Sequence, residues 1–263
     1  MRRLLRSTVG AATAVFAVLA STTPATPASA ADAAYDVLVF SKTAGFRHDS
    51  IAVGTQTIRD LGAANNFTVT ATEDSAAFTT GNLAQYEAVV FLNTTGDVLN
   101  DTQQTAFQSY IGAGGGYVGV HAAADTEYGW SFYGNLVGAY FASHPAIQQA
   151  NAKVEHRGHA ASSHLPQTWT RTDEWYNYQT NPRATARVLA TLDESSYSGG
   201  SMGADHPISW YHEYDGGRSW YTALGHTSES YRDSLFLQHL LGGIEYAAGQ
   251  ATAASLVRSM GGT

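Results

Sequence analysis

Ten histidines stand against two lysines in this chain of 263 residues. Five of them, His48, His121, His144, His206 and His226, fall where apolar runs end or loops turn. An imidazole exchanges protons near neutral pH and offers a lone pair to a metal. A histidine at the end of a strand is therefore a candidate base or ligand. The densest setting is the run from Gly114 to Asp125, in which glycines lead into a short apolar strand and an exit of tiny residues. Within it, Gly119-Val120-His121-Ala122-Ala123 has the outline of a nucleophile elbow, with His121 where serine or cysteine would act. The pattern predicts a catalytic type of scaffold from which acyl-transfer chemistry is missing. A core strand closing on a hydrogen-bonded histidine would have the same sequence.

Other polar groups can be placed around His121. Arg47 and His48 follow Gly45-Phe46, a turn able to present both side chains. Asp125, four residues past His121, has three possible roles: orienting that imidazole, binding a hydroxyl, or capping a following helix. In Asp173-Glu174-Trp175-Tyr176, neighbouring acids on a strand point to opposite faces, so one of them at most enters a given pocket. Glu174 beside Trp175 is expected to have a raised pKa suited to a general acid. Trp175, Tyr176 and Trp210 are candidate sugar-stacking residues, with Arg47, His206 and His226 as further binding residues. The spacing of His156, His159 and His164 matches no standard zinc site, whereas a long-range divalent-metal site from His121, His206 and His226 is allowed.

The elements that must position these groups alternate. Short apolar runs at 36–40, 67–71, 87–92 and 117–120 are separated by helical patterns at 51–61 and from Asn100 or Asp101 to Ile111. Such alternation predicts right-handed crossovers and an open, mainly parallel, flavodoxin-like α/β sheet, with His48 and His121 together at its carboxyl edge. Residues 125–168 read as an elaborated loop region, 168–177 and 186–192 as two further strands, and 208–224 as a hairpin around Asp215-Gly216-Gly217. A closing amphipathic helix, 231–248, carries His239 on its core-facing stripe.

The first thirty residues read as a secretion signal: Arg2, Arg3 and Arg6, then the apolar run Val9 to Leu19, then Ala28-Ser29-Ala30. A single domain over 31–248 and a tail over 249–263 follow. Three of the 14 basic residues and none of the 22 acidic ones lie in that signal, so the remainder carries a net charge of −11. Such a surface repels phosphate backbones and argues against nucleic acid, and no later run reaches membrane length. Zero cysteines remove disulfides and thiolate chemistry. Fifteen tyrosines favour a carbohydrate ligand in an exported, extracellular protein.

Taken together, Lys42 to Ile51, Gly115 to Asp125, Asp173 to Tyr176, His206 to Trp210 and Gly225-His226-Thr227 resemble the ThuA-like (trehalose utilisation) family, from about Tyr35 to Ala248. The resemblance implies a class I glutamine amidotransferase-like fold without its catalytic cysteine, and a link to carbohydrate use, often of sugars oxidised at one ring position. It places the family's polar positions on His48, His121, Asp125, Glu174, His206 and His226. His159-Ala160 departs from the His-Pro common in the family.

Three functions stay open, as does the oligomeric state. One is a carbohydrate-active enzyme with His121 or His48 as base and Glu174 as acid. Another is a sugar-binding protein on a degenerate amidotransferase fold. The third is a zinc-dependent hydrolase.

Overall fold

The computed structural model describes residues 34–250. The secretion signal at 1–30 and nearly all of the 249–263 tail lie outside the described residues. Strand β1 (Tyr35–Phe40) is apolar and buried on both faces, as a central strand between helical layers must be. It leads into helix α1 (Ile51–Asn65) and strand β2 (Phe67–Thr72). A short helix α2 (Thr80–Leu83) precedes β3 (Ala88–Leu92). Helix α3 (Asp101–Gly112) starts at Asn100 with a full capping box to Gln103, and β4 (Gly116–Val120) follows.

The segment expected to be a loop contains regular structure. Helix α4 (Ser131–Val137), strand β5 (Phe141–Ser143) and strand β6 (Gln148–Val154) lie within it. The single strand expected over 168–177 is broken into β7 (Thr168–Asp173) and β8 (Asn177–Tyr178). Strand β9 (Arg187–Leu192) precedes the hairpin of β10 (His206–Tyr214) and β11 (Gly217–Thr222). Asp215 and Gly216 at its tip both adopt positive φ, the geometry of a tight hairpin turn. Helix α5 (Ser234–Ala247) closes the fold, and His239 on it is buried, with Nδ1 donating to the Ala161 carbonyl at 2.6 Å.

Nine strands form one open sheet in the order β2-β1-β3-β4-β11-β10-β9-β6-β7. The first five are parallel neighbours, and from β11 onward each pairing is antiparallel. The open α/β sheet flanked by helices is therefore present. The hairpin does not stand apart from it: β11 pairs with β4, and β10 carries the sheet into its antiparallel half. No helix among the described residues is long and apolar enough to cross a membrane.

A candidate metal centre at the carboxyl edge of the sheet

His48, His121 and His226 follow β1, β4 and β11, three parallel strands, so all three emerge at one edge of the sheet. Their rings stand 5.0 Å apart, centroid to centroid, in each of the three pairings and at steep angles. Glu174 arrives from the far end. Strand β7 lies four positions from β11, roughly 19 Å in a flat sheet. Yet Asp173, its last residue, accepts hydrogen bonds directly from the Gly225 and His226 amides at 3.1 and 3.2 Å. The antiparallel half must coil over the strand ends to allow this, and the coil delivers Glu174 to the histidines.

Each ligand is held from behind. His121 is completely buried and has φ +48°, a strained value for a residue with a side chain, as the elbow outline predicts. Its Nδ1 donates to the Ala223 carbonyl at 2.6 Å, and its own carbonyl accepts from the Tyr221 hydroxyl at 2.8 Å. A carbonyl can only accept, so Nδ1 holds the proton and the Nε2 of a neutral ring presents a lone pair. That Nε2 lies 3.1 Å from His226 Nδ1 and 3.3 Å from Glu174 Oε2, and the latter two are 3.1 Å apart. The other Glu174 oxygen meets His144 Nδ1 at 3.0 Å. Gly225 precedes His226 at φ +106°, where a Cβ would sit 2.8 Å from the Tyr231 hydroxyl. Ser50, at the start of α1, donates to the Gly225 carbonyl at 3.1 Å instead of capping its own helix, which ties the His48 and His226 loops together.

The electrostatics of the cluster disfavour charge on His48 and favour it on Glu174. Burial pushes the His48 pKa down to about 3, helped by the neighbouring His121 and His226. Its Nδ1 is buried with no hydrogen-bond partner. Burial opposes ionisation of Glu174, but N–H donation and positive charge from His121 and His226 outweigh that and hold its carboxyl well below the usual range, a part that a bound cation would take over from those protons. The expected raised pKa is thus corrected: Trp175, the supposed cause, turns away into the core and donates its Nε1–H to the Gln148 carbonyl.

One ligand atom from each of His48, His121, Glu174 and His226 lies within 4.8 Å of all the others. Atoms bound tetrahedrally to an ion at ~2.0–2.1 Å are roughly 3.4 Å from one another, close to the three separations above. Three lone-pair donors facing each other at this distance repel unless a cation or a shared proton lies between them. The donor set fits a divalent metal of the zinc class, with the Ala223 carbonyl fixing the tautomer of His121. His206, expected in such a site, is elsewhere: its completely buried ring bonds the Tyr176 carbonyl and Glu194, each at 2.8 Å. Glu174 takes the place assigned to it.

Beside the cluster lies a cavity of about 340 Å³ lined by Phe46, Asp125, Phe141, His144 and Tyr176 together with His48, Glu174 and His226. The Tyr176 ring centroid lies 4.2 Å from that of His121 and 4.3 Å from that of Phe141, tilted by 37° and 48°, so the three rings form an angled aromatic wall. Asp125 neither orients His121 nor caps a helix. It accepts from the Tyr128 hydroxyl at 2.6 Å, and burial raises its pKa. Besides His206, three expected binding residues do not reach the cavity. Arg47 is exposed and paired through both terminal nitrogens with Glu73. Trp175 is buried, as described. Trp210 is fully buried and donates to the Val137 carbonyl. Phe141 and His144 were not among the expected site residues, although His144 stood out as a loop histidine.

Comparison with known proteins agrees with this fold. The sequence matches the ThuA family, described as trehalose utilisation, over residues 36–247. The fold is similar to a ThuA-like protein from Bacteroides uniformis, at TM-score 0.72 and 23% identity, covering 85% of this chain and 95% of that one. It is similar also to one from Parabacteroides merdae, at TM-score 0.70 and 20% identity, covering 82% and 90%. A β-galactosidase from Bacillus circulans sp. alkalophilus shares the fold over 31% of its length, with 82% of this chain covered, at TM-score 0.54 and 15% identity. No curated protein matches. The family match over most of the chain, on the fold its strand order requires, places this protein in the ThuA (trehalose utilisation) family.

Proposed function

We propose that this protein is an exported, metal-dependent enzyme acting on a sugar, with His48, His121, Glu174 and His226 as the ligands of one divalent ion. The observation that carries the reading is the triangle of His121 Nε2, His226 Nδ1 and Glu174 Oε2, at 3.1–3.3 Å, with the His121 tautomer set by Ala223. When bound, such an ion supplies Lewis acidity toward a sugar hydroxyl or carbonyl oxygen. The chain's own groups do the rest. Tyr176 and Phe141 offer an apolar face for a sugar ring. Asp125, its pKa raised and its carboxylate steadied by Tyr128, exchanges a proton with the substrate. His144 holds the free oxygen of Glu174 and keeps that carboxylate oriented.

The carbohydrate assignment is supported by the family's link to trehalose utilisation and by the aromatic wall beside the ligands. Export is supported by the basic start, apolar run and Ala28-Ser29-Ala30. Two measurements test the reading. Protein purified without chelator should hold about one equivalent of divalent metal, and His226→Ala should lose it. A product screen on oligosaccharides, 3-keto sugars included, should give turnover that chelation abolishes. Stoichiometric metal with sugar binding but no turnover would make this a binding protein. Absence of metal in both forms would overturn the centre.

A further inference from the structure

Strand β3 lies between β1 and β4, and so between the strands that present His48 and His121, yet it supplies none of the four ligands. At its carboxyl end stand Asn93, Thr94 and Thr95, three polar residues in a row, each completely buried. Buried polar groups are costly unless they are hydrogen-bonded, so their partners show what they hold in place. The Thr95 carbonyl accepts from the Ala44 amide at 2.7 Å and its hydroxyl donates to the Phe46 carbonyl at 2.8 Å, both in the loop that leads to His48. The Thr94 hydroxyl meets that of Thr126 at 2.9 Å, and Thr126 donates to the Ala122 carbonyl, just past His121.

Asn93 reaches furthest. Its φ of +51° is one that asparagine and glycine adopt more readily than other residues. Its backbone N–H donates to the Val120 carbonyl at 3.2 Å, immediately before His121. Its Nδ2 donates to the Ser50 hydroxyl at 3.0 Å, two residues after His48, and to the Gly225 carbonyl at 3.3 Å, immediately before His226. The Ser50 hydroxyl donates its own proton to that same carbonyl, so toward Asn93 it can only accept. One residue is thus bonded to all three histidine loops. His121 has anchors of its own at Ala223 and Tyr221. Among the described residues, no hydrogen bond from outside the cluster holds the ring of His48 or His226, so their placement depends on the backbones that Asn93 ties.

We propose that Asn93 is the positioning residue of the centre: it sets the His48 and His226 loops against His121 and thereby the geometry offered to a metal. The inference rests on the metal reading above and adds a residue that is neither a ligand nor part of the cavity wall.

Cobalt(II) is the probe, because its visible absorption reports coordination geometry as well as occupancy. Full-length wild-type protein, Asn93→Gly, Ser50→Ala, the double variant and Phe107→Leu are titrated with it, with urea unfolding of each metal-free protein alongside. Glycine accepts the positive φ and removes only the side-chain amide. Asn93→Gly should bind cobalt about 10–100-fold more weakly, with an altered spectrum at saturation. Ser50→Ala should also weaken binding, and the double variant should lose less than the product of the two single losses, since both act through one set of hydrogen bonds. Phe107→Leu, in the core among Phe78, Phe91 and Tyr117, should lose stability yet keep the wild-type affinity and spectrum. If Asn93→Gly does not fold, Ser50→Ala decides by the same affinity and spectrum. Unchanged binding in these variants, fully multiplicative losses, or equal weakening in Phe107→Leu would overturn the role of Asn93 while sparing the centre. Wild-type protein that binds no cobalt would overturn the metal reading and this inference together.

Discussion

At the scale of single residues, His121 combines two demands that usually conflict. Its φ of +48° is a conformation that glycine tolerates and other residues resist, yet its imidazole is the centre of the ligand cluster. The strain aims Nε2 at Glu174 and His226 while Nδ1 reaches Ala223. His121→Ala and His121→Gly separate the two demands, because both remove the imidazole but only glycine relaxes the backbone. Both variants should lose the metal and about 10²–10⁴-fold in any turnover. The glycine variant should nonetheless be the more stable of the two by about 1 kcal/mol in urea unfolding. An alanine variant as stable as the glycine one would show that the turn carries no strain. A variant that keeps its metal would return His121 to a core role.

At the scale of elements, the decisive feature is the end of β7. Asp173 is completely buried and accepts from the Gly225 and His226 amides, the Ser230 hydroxyl and Arg171, while the next residue, Glu174, enters the cluster. Two adjacent acids thus divide the work, one fixing the backbone of the His226 loop and the other facing the metal position. Asp173→Asn preserves size but replaces an acceptor oxygen by a donor. It should weaken metal affinity by about 10–100-fold with the chain still folded, as measured by competition with a chromophoric chelator. An unchanged affinity would remove Asp173 from the site's support. The alternation of strands and helices made His48 and His121 legible as a pair, because parallel strands share an exit edge, whereas His226 closes a hairpin strand whose parallel place beside β4 the sequence does not show. The partnership of Glu174 with them was not legible, since it depends on the coil of the antiparallel half. That half was itself hard to read. The inward positions of β6 are Ala150, Ala152 and Val154, and alanines between polar residues carry little of the apolar alternation that marks a strand. Trp175 and Trp210 misled for the opposite reason: large aromatics suggest sugar stacking, but both fill the core and satisfy their indole N–H on backbone carbonyls.

At the scale of the whole molecule, stability should fall with acidification through buried histidines outside the cluster as well as through His48 within it. His159 and His239 are buried, and burial pushes their pKa values down to about 4 and about 3 from 6.5. His239 sits between Trp220 and Trp169 with its rings' nitrogens on Ala161 and Thr222, and His159 lies against Tyr211 and Tyr246. Below pH 6.5 the unfolded chain takes up protons at these positions that the folded chain refuses. Unfolding therefore binds protons, and stability rises with pH across this range. The full contribution is present above about pH 6.5 and is lost progressively toward pH 4 for His159 and pH 3 for His239. Each histidine can add at most about 1.4 kcal/mol per pH unit once its unfolded form is fully protonated. Urea midpoints measured on metal-free protein from pH 7.5 to 4.5 should fall on acidification. His239→Asn, whose amide nitrogen falls near the position of Nδ1, can still donate to Ala161 and does not titrate; it should make the decline shallower even though it lowers stability at pH 7.5. Equal slopes for the two proteins would mean that His239 is protonated as readily in the folded chain as in the unfolded one, which its place between two buried tryptophans forbids.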